Sequence, residues 1–145
     1  MLGDGMAKQM NLTIRITLGL VFFVGGGLKI YSPNEASALV SSMIGLGLSS
    51  SDVMVYTVSG TEAILGVLLM LGIRKRAILA FLAIMLMVFT LTALTLAEAG
   101  QSCGCFGNLL PSAIDEVFFL RNTALLAASL FLLWHEDLSA KEELR

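Results

Sequence analysis

Residues 77–97 read AILAFLAIMLMVFTLTALTLA, 21 consecutive positions without a charged group. An apolar helix of about 20 residues crosses a hydrocarbon core about 30 Å thick. Arg74-Lys75-Arg76 bounds the run on one side and Glu98 on the other, so it reads as a transmembrane span. The rest of the chain fits that reading. It has 145 residues, of which 57% are hydrophobic and 14% charged, and a mean hydropathy of +0.87. These values lie outside the range of soluble domains. A net charge of -2, with no basic run beyond Arg74-Lys75-Arg76, argues against a nucleic-acid partner. Two cysteines are too few for a disulfide-stapled scaffold, and no Cys-x-x-Cys or His-x-x-x-His pattern supports structural zinc.

Upstream of this run, residues 52–73 form a second span that stops at the same basic turn. A first span covers residues 12–31. Lys8 and Arg15 ahead of an apolar run invite comparison with a signal peptide, but no small-x-small cleavage pattern follows Leu28, so the span is expected to be retained. Between spans 1 and 2, Ser32-Pro33-Asn34-Glu35 carries a helix-start signal, with serine as N-cap, proline first and glutamate third to close a capping box. Ala36, Leu39, Val40, Met43 and Ile44 then recur at helical spacing, with Ser37, Ser41 and Ser42 off their stripe, which predicts an interfacial helix over residues 33–44. Downstream, Pro111-Ser112 with Asp115 starts a fourth span over residues 113–134, and the charged tail from His135 is expected to fray. The expected fold is all-α: a single membrane domain, a four-transmembrane-helix bundle with a short external amphipathic helix.

Basic residues set the expected orientation. Lys8 and Arg15, Arg74 to Arg76, and Lys141 and Arg145 fall on one side of an even-numbered bundle, whereas residues 100–119 hold neither arginine nor lysine. The positive-inside rule makes the first side cytoplasmic, with both termini there, and leaves the loop over residues 99–111 outside an inner (plasma) membrane.

That loop contains Cys103-Gly104-Cys105, the only cysteines in the chain. Thiols this close can close on one another, exchange with a partner's disulfide, or clamp a soft metal ion. A ring across one glycine is strained, and strain makes a disulfide labile and prone to exchange. A passive disulfide or idle thiols are the plain alternative. Two thiolates with no histidine or third cysteine nearby are too few for zinc, so no metal site is assigned.

Glu62 is a carboxyl group about ten residues into span 2. An ionised carboxylate at the bilayer centre costs at least about 2.5 kcal/mol, so it is expected to face inward. Ser59 and Gly66 share its helix face and let a neighbouring helix approach. Two roles stand side by side for it: a paired or protonated group that fixes packing, or a site of proton delivery or quinone contact. Arg121, about two turns into the fourth helix, either snorkels to the interface or turns inward, where it would support a thiolate or a quinone. Lys29 lies near the outer end of span 1 and is expected to snorkel, with support of a thiolate at Cys103 or Cys105 as its alternative role. Gly19 and Gly25 to Gly27 mark close helix packing, and the eight methionines read as apolar filler.

Four spans in this spacing resemble the MauE/DoxX group of redox-associated membrane proteins. The residues that carry the resemblance are Arg15, Gly19 and Lys29 in the first span, Glu62 and Gly66 in the second, Cys-Gly-Cys-Phe-Gly at 103–107, and Arg121-Asn122 in the fourth. The resemblance implies redox work. One branch is implicated in maturing a disulfide-rich periplasmic enzyme, and the other is associated with a quinone-linked oxidoreductase. The expected function is thiol-disulfide exchange through Cys103 and Cys105 with a periplasmic thioredoxin-like or disulfide-rich partner, with a membrane quinone as the candidate cofactor. The alternatives are a non-catalytic accessory subunit of a larger respiratory or photosynthetic membrane complex, and soft-metal handling by the cysteine pair.

Overall fold

A computed structural model describes residues 2–45, 47–96 and 116–143 of the chain. The elements are α1 (Leu2–Tyr31), α2 (Asn34–Ile44), α3 (Leu48–Leu71), α4 (Lys75–Leu96) and α5 (Glu116–Glu143). Among the described residues there is no strand, and the fold is all-α. Four segments are long and apolar enough to cross a membrane: Gln9–Tyr31, Ser49–Leu71, Lys75–Thr95 and Glu116–Glu136. The cysteine loop and the Pro111-Ser112-Asp115 helix start lie outside the described residues.

The four long helices stand in the ring order α1, α3, α4, α5, with the most extensive contact between α1 and α3. Glycine makes that contact possible. A β-carbon on Gly19 would lie 2.7 Å from the Gly66 carbonyl oxygen, one on Gly66 would lie 2.6 Å from that of Gly19, and one on Gly26 would lie 2.5 Å from the Ser59 carbonyl oxygen. As position 19 advances to 26 on α1, its neighbour on α3 retreats from 66 to 59, so the two helices run antiparallel with their backbones touching.

One half of the bundle is filled by apolar side chains. Leu18, Phe22, Leu69, Ile78, Leu79, Leu82, Leu86 and Leu132 form a buried cluster that draws on all four long helices. The outer faces carry exposed Leu20, Ile64, Ile84, Val88, Leu94 and Leu120, an arrangement suited to lipid and unfavourable in water. Several threonine hydroxyls in these helices are satisfied locally, whereas the buried Ser59 hydroxyl has no partner among the described residues. Thr57, Thr61, Thr90, Thr92 and Thr95 each donate to the carbonyl one turn back, at 2.7 to 2.9 Å.

The helix ends differ in detail from the sequence expectation. The Ser32 capping box does not form: Pro33 is the N-cap of α2, and no side chain bonds the cap. The first turn is closed by the Ser37 amide, which donates to the Pro33 carbonyl at 2.8 Å. Ser37 is buried although it lies off the apolar stripe, and its hydroxyl donates to the carbonyls of Pro33 and Asn34. Ala36 and Leu39 are buried and α2 packs against α3, so the helix is a cap on the bundle. At the other end, α3 stops at Gly72, whose φ of 75° places it in the left-handed region. The Ile73 amide reaches back to the Leu68 carbonyl and Gly72 to Leu69, each at 3.1 Å, the Schellman arrangement that glycine permits. The charged tail expected to fray from His135 instead remains helical through Glu143.

Candidate functional site

Next to the apolar cluster, and sharing Phe22 and Leu86 with it, lies a group of buried polar residues. Lys29 is two residues from the C-terminal end of α1, and its Nζ donates to Glu62 Oε2 of α3 at 2.6 Å. Both side chains are largely buried, with 15% and 11% of their surfaces exposed. The Gly26 contact brings α1 and α3 close enough for the lysine to reach, and the lysine's length covers the remaining distance. Snorkelling to the interface was the expectation for Lys29; the buried carboxylate instead draws its head group inward, because an ammonium and a carboxylate each lose less on leaving water when they pair.

Gly19 and Gly66 cross near the middle of the Gln9–Tyr31 segment, and Glu62 lies four residues earlier on α3, about one turn (~5.4 Å) nearer the end that carries α2. Within its own segment, Ser49–Leu71, it is two residues from the middle.

The ion pair forms one wall of a cavity of about 60 Å³, part-way open to the outside of the bundle. The rest of the lining is apolar, including Phe22 and Phe89, except for Arg121 and Asn122 of α5. Arg121 turns inward, with its guanidinium carbon 5.8 Å from the centre of the Phe118 ring. Phe118 is itself packed edge-on against Phe89 at 5.8 Å, which fixes the platform under the arginine. Asn122 is only 4% exposed, and its Nδ2 has no hydrogen-bond partner among the described residues. Space of this size admits a few water molecules or the polar head of a larger ligand.

Four residues singled out in the sequence therefore meet at one place: Lys29 from α1, Glu62 from α3, and Arg121 and Asn122 from α5. Gly19 and Gly66 form the crossing beside them, while Gly27, in the same glycine run as Gly26, faces open space. Arg15 lies at the other end of α1, with its Nη1 3.0 Å from where a β-carbon on Gly72 would be, against the capped end of α3. His135 also belongs to that end, next to Glu136, which pairs with Lys75 at 2.9 Å. Cys103 and Cys105 are outside the described residues, and among those described no cluster of potential metal ligands occurs.

Sequence reasoning assigned no role to Asn122 or Phe89 and gave Lys29 a different one. The sequence held no mark of the pairing: Lys29 lies two residues from the end of span 1, a place from which a lysine reaches the interface. Phe89 had no mark either, since it sits among apolar residues in span 3.

The family described as methylamine utilisation protein MauE matches residues 7–135, nearly the whole chain and all four long apolar segments. No curated protein and no solved structure matches it. The chain belongs to the MauE family and is a multi-pass membrane protein.

Proposed function

We propose that this protein carries thiol-disulfide exchange across a membrane surface. In this reading Cys103 and Cys105 face the periplasm and react with a thioredoxin-like or disulfide-rich partner, while a membrane quinone in contact with Glu62 and Arg121 takes the electrons. The partner's dithiol reduces the Cys103–Cys105 disulfide, which leaves a disulfide on the partner and two thiols here. Those thiols then give two electrons and two protons to the quinone, which becomes quinol as the Cys103–Cys105 bond re-forms. Glu62, beside a cavity with room for water, is a carboxylate placed to relay those protons.

The observation that carries the reading is one of connectivity. The only cysteines lie in the segment joining α4, which ends at Leu96, to α5, which begins at Glu116. The first turns of α5 supply Arg121 and Asn122 to the cavity that also holds the Lys29–Glu62 pair. The segment that carries the only thiols is thus attached directly to the helix that supplies Arg121 and Asn122. Membership of a family described by methylamine utilisation supports a partner in the maturation of an enzyme for that pathway.

Trapping tests the exchange. Thiolate attack on a disulfide passes through a mixed disulfide, which the second cysteine resolves. Phe106 adjoins Cys105 in sequence and would shield it, so Cys103 is the exchanging sulfur, and Cys105→Ser is expected to accumulate a covalent adduct with a periplasmic protein that dissolves on reduction. If neither single serine variant forms such an adduct, and the double variant oxidises periplasmic thiols normally, exchange is wrong and the accessory-subunit reading replaces it. Stoichiometric soft metal on the purified protein would favour metal handling instead.

A further inference from the structure

Glu62 on α3 and Asn122 on α5 stand diagonally across the ring of four long helices, yet both line the same cavity. Their polar atoms are complementary. Lys29 engages Oε2 of Glu62 at 2.6 Å, and Oε1 can accept a further hydrogen bond. Asn122 is 4% exposed, and its Nδ2, a donor, has no partner among the described residues. Buried polar atoms are nearly always satisfied, by protein or by ordered water. An acceptor and a donor facing one space from different helices suit a group that can both accept and donate, which is what an O–H group does. Size narrows the choice. A water molecule needs at least roughly 10 to 15 Å³, whereas an apolar cavity that takes a benzene ring measures roughly 150 Å³. This cavity has about 60 Å³. Cavities that stay dry are apolar, and this one has an ion pair in its wall.

We infer that the cavity holds a small cluster of bound water between Asn122 Nδ2 and Glu62 Oε1, and that Asn122 positions this water for proton transfer to the carboxylate. Asn122 donates to a water oxygen, and the hydrogens of the cluster are directed to Glu62. Phe22, Leu86 and Phe89 offer no hydrogen-bond partner, so the water can bond only to the polar groups of the lining. The role in proton transfer rests on the exchange proposed above. Protons lost by the thiols enter the water at the open side of the cavity, protonate Glu62 at Oε1, and leave it for the reduced quinone. That last transfer restores the carboxylate, and Lys29 stays at Oε2 throughout. The carbonyl end of the quinone reaches Glu62 from the open side, since its ring exceeds the space. The water cluster itself requires neither the quinone nor the cysteines.

X-ray hydroxyl-radical footprinting of the full chain in lipid nanodiscs tests it, because the radicals arise from water where it stands and oxidise the side chains it touches. Phe22 and Phe118 are both buried, at 6% and 2% exposure, but of the two only Phe22 lines the cavity. Phe22 is expected to be oxidised and Phe118 to stay at background. In Asn122→Leu, similar in size but without the donor, oxidation of Phe22 should fall at least about fivefold, the factor that one lost hydrogen bond represents. Asn122→Thr, which keeps a donor, should retain most of it, with both variants checked for unchanged helix content. The Cys103→Ser/Cys105→Ser double variant should match the native pattern. Phe22 at the background of Phe118 overturns the inference, because the cavity is then dry. Oxidation of Phe22 that Asn122→Leu leaves unchanged also overturns it, because Asn122 then anchors nothing. Anaerobic re-oxidation of the native cysteine pair by a decyl-substituted benzoquinone is the second readout, and should slow in Asn122→Leu but not in Asn122→Thr. If the footprints follow expectation and that rate is unchanged, the water stands and its role as relay is wrong. If the native cysteines are inert towards the quinone, the exchange reading fails while the water cluster stands.

Discussion

At the level of single residues, the chemistry turns on two charges that have left water together. Lys29 and Glu62 are largely buried and joined at 2.6 Å. Removing one partner of such a pair strands the other and costs about 3 to 5 kcal/mol, whereas replacing both by apolar groups is often neutral. Lys29→Met should therefore lower the thermal midpoint in detergent markedly, and Lys29→Met combined with Glu62→Leu should recover most of the loss. Glu62→Lys should be worst of all, because it sets two ammonium groups side by side, and Lys29→Glu added to it should restore assembly. If the double variants are no better than the single ones, the pair is not what holds these side chains. The carboxylate's inward orientation was legible in the sequence from the cost of a charge in lipid; its partner was not. A lysine near a span end has an inexpensive route to the interface, and only the close approach of α1 to α3 shows that the inward route is shorter.

At the level of elements, small residues determine where helices touch, and position along the helix decides which glycines matter. The glycines at 19 and 66 stand backbone to backbone, and a β-carbon on Gly66 would also lie 2.7 Å from the Phe23 amide nitrogen, an atom that cannot move without moving the helix. Gly66→Ala is expected to destabilise the bundle by about 1 to 3 kcal/mol, the usual range for overpacking. Gly27 has nothing within 4 Å of where its β-carbon would be, so Gly27→Ala should be neutral or stabilise by up to about 1 kcal/mol through helix propensity. Thermal unfolding of the two variants side by side is the check, and equal effects would mean that α1 and α3 do not cross at these glycines. The sequence showed the glycines and the shared face of Ser59, Glu62 and Gly66, but a run such as Gly25-Gly26-Gly27 does not say which member faces the neighbour. The capping box at Ser32 was misread for a related reason: a serine followed by proline fits the pattern, yet the chain turns tightly enough for Pro33 itself to take the cap position.

At the level of the whole molecule, four apolar segments and a family match over residues 7–135 make this a membrane protein, and what remains to be measured is which way it faces. The all-helical bundle was legible because membrane thickness imposes a minimum length on each span, a constraint that leaves long uncharged runs in plain view. Ring order and the meeting of residues from three helices were not legible, since helix pairing depends on shape and not on composition. Orientation can be argued from charge. Arg74, Lys75 and Arg76 lie at the turn between α3 and α4, and the Lys75–Glu136 pair brings the far end of α5 to the same side. The segment joining α4 to α5 is attached at the opposite ends of those helices and carries no basic residue between positions 100 and 119. If basic residues are retained in the cytoplasm, a membrane-impermeant maleimide applied to intact, reduced cells should label Cys103 and Cys105. In a cysteine-free background, single cysteines placed at Lys75 or Ser139 should stay unlabelled until the cells are opened. The same background without an added cysteine supplies the baseline, so partial permeability shows as labelling at all sites. The reverse pattern, with positions 75 and 139 labelled and the native pair protected, would put the thiols in a reducing compartment where a disulfide between them does not persist, and exchange with a periplasmic partner would then be impossible.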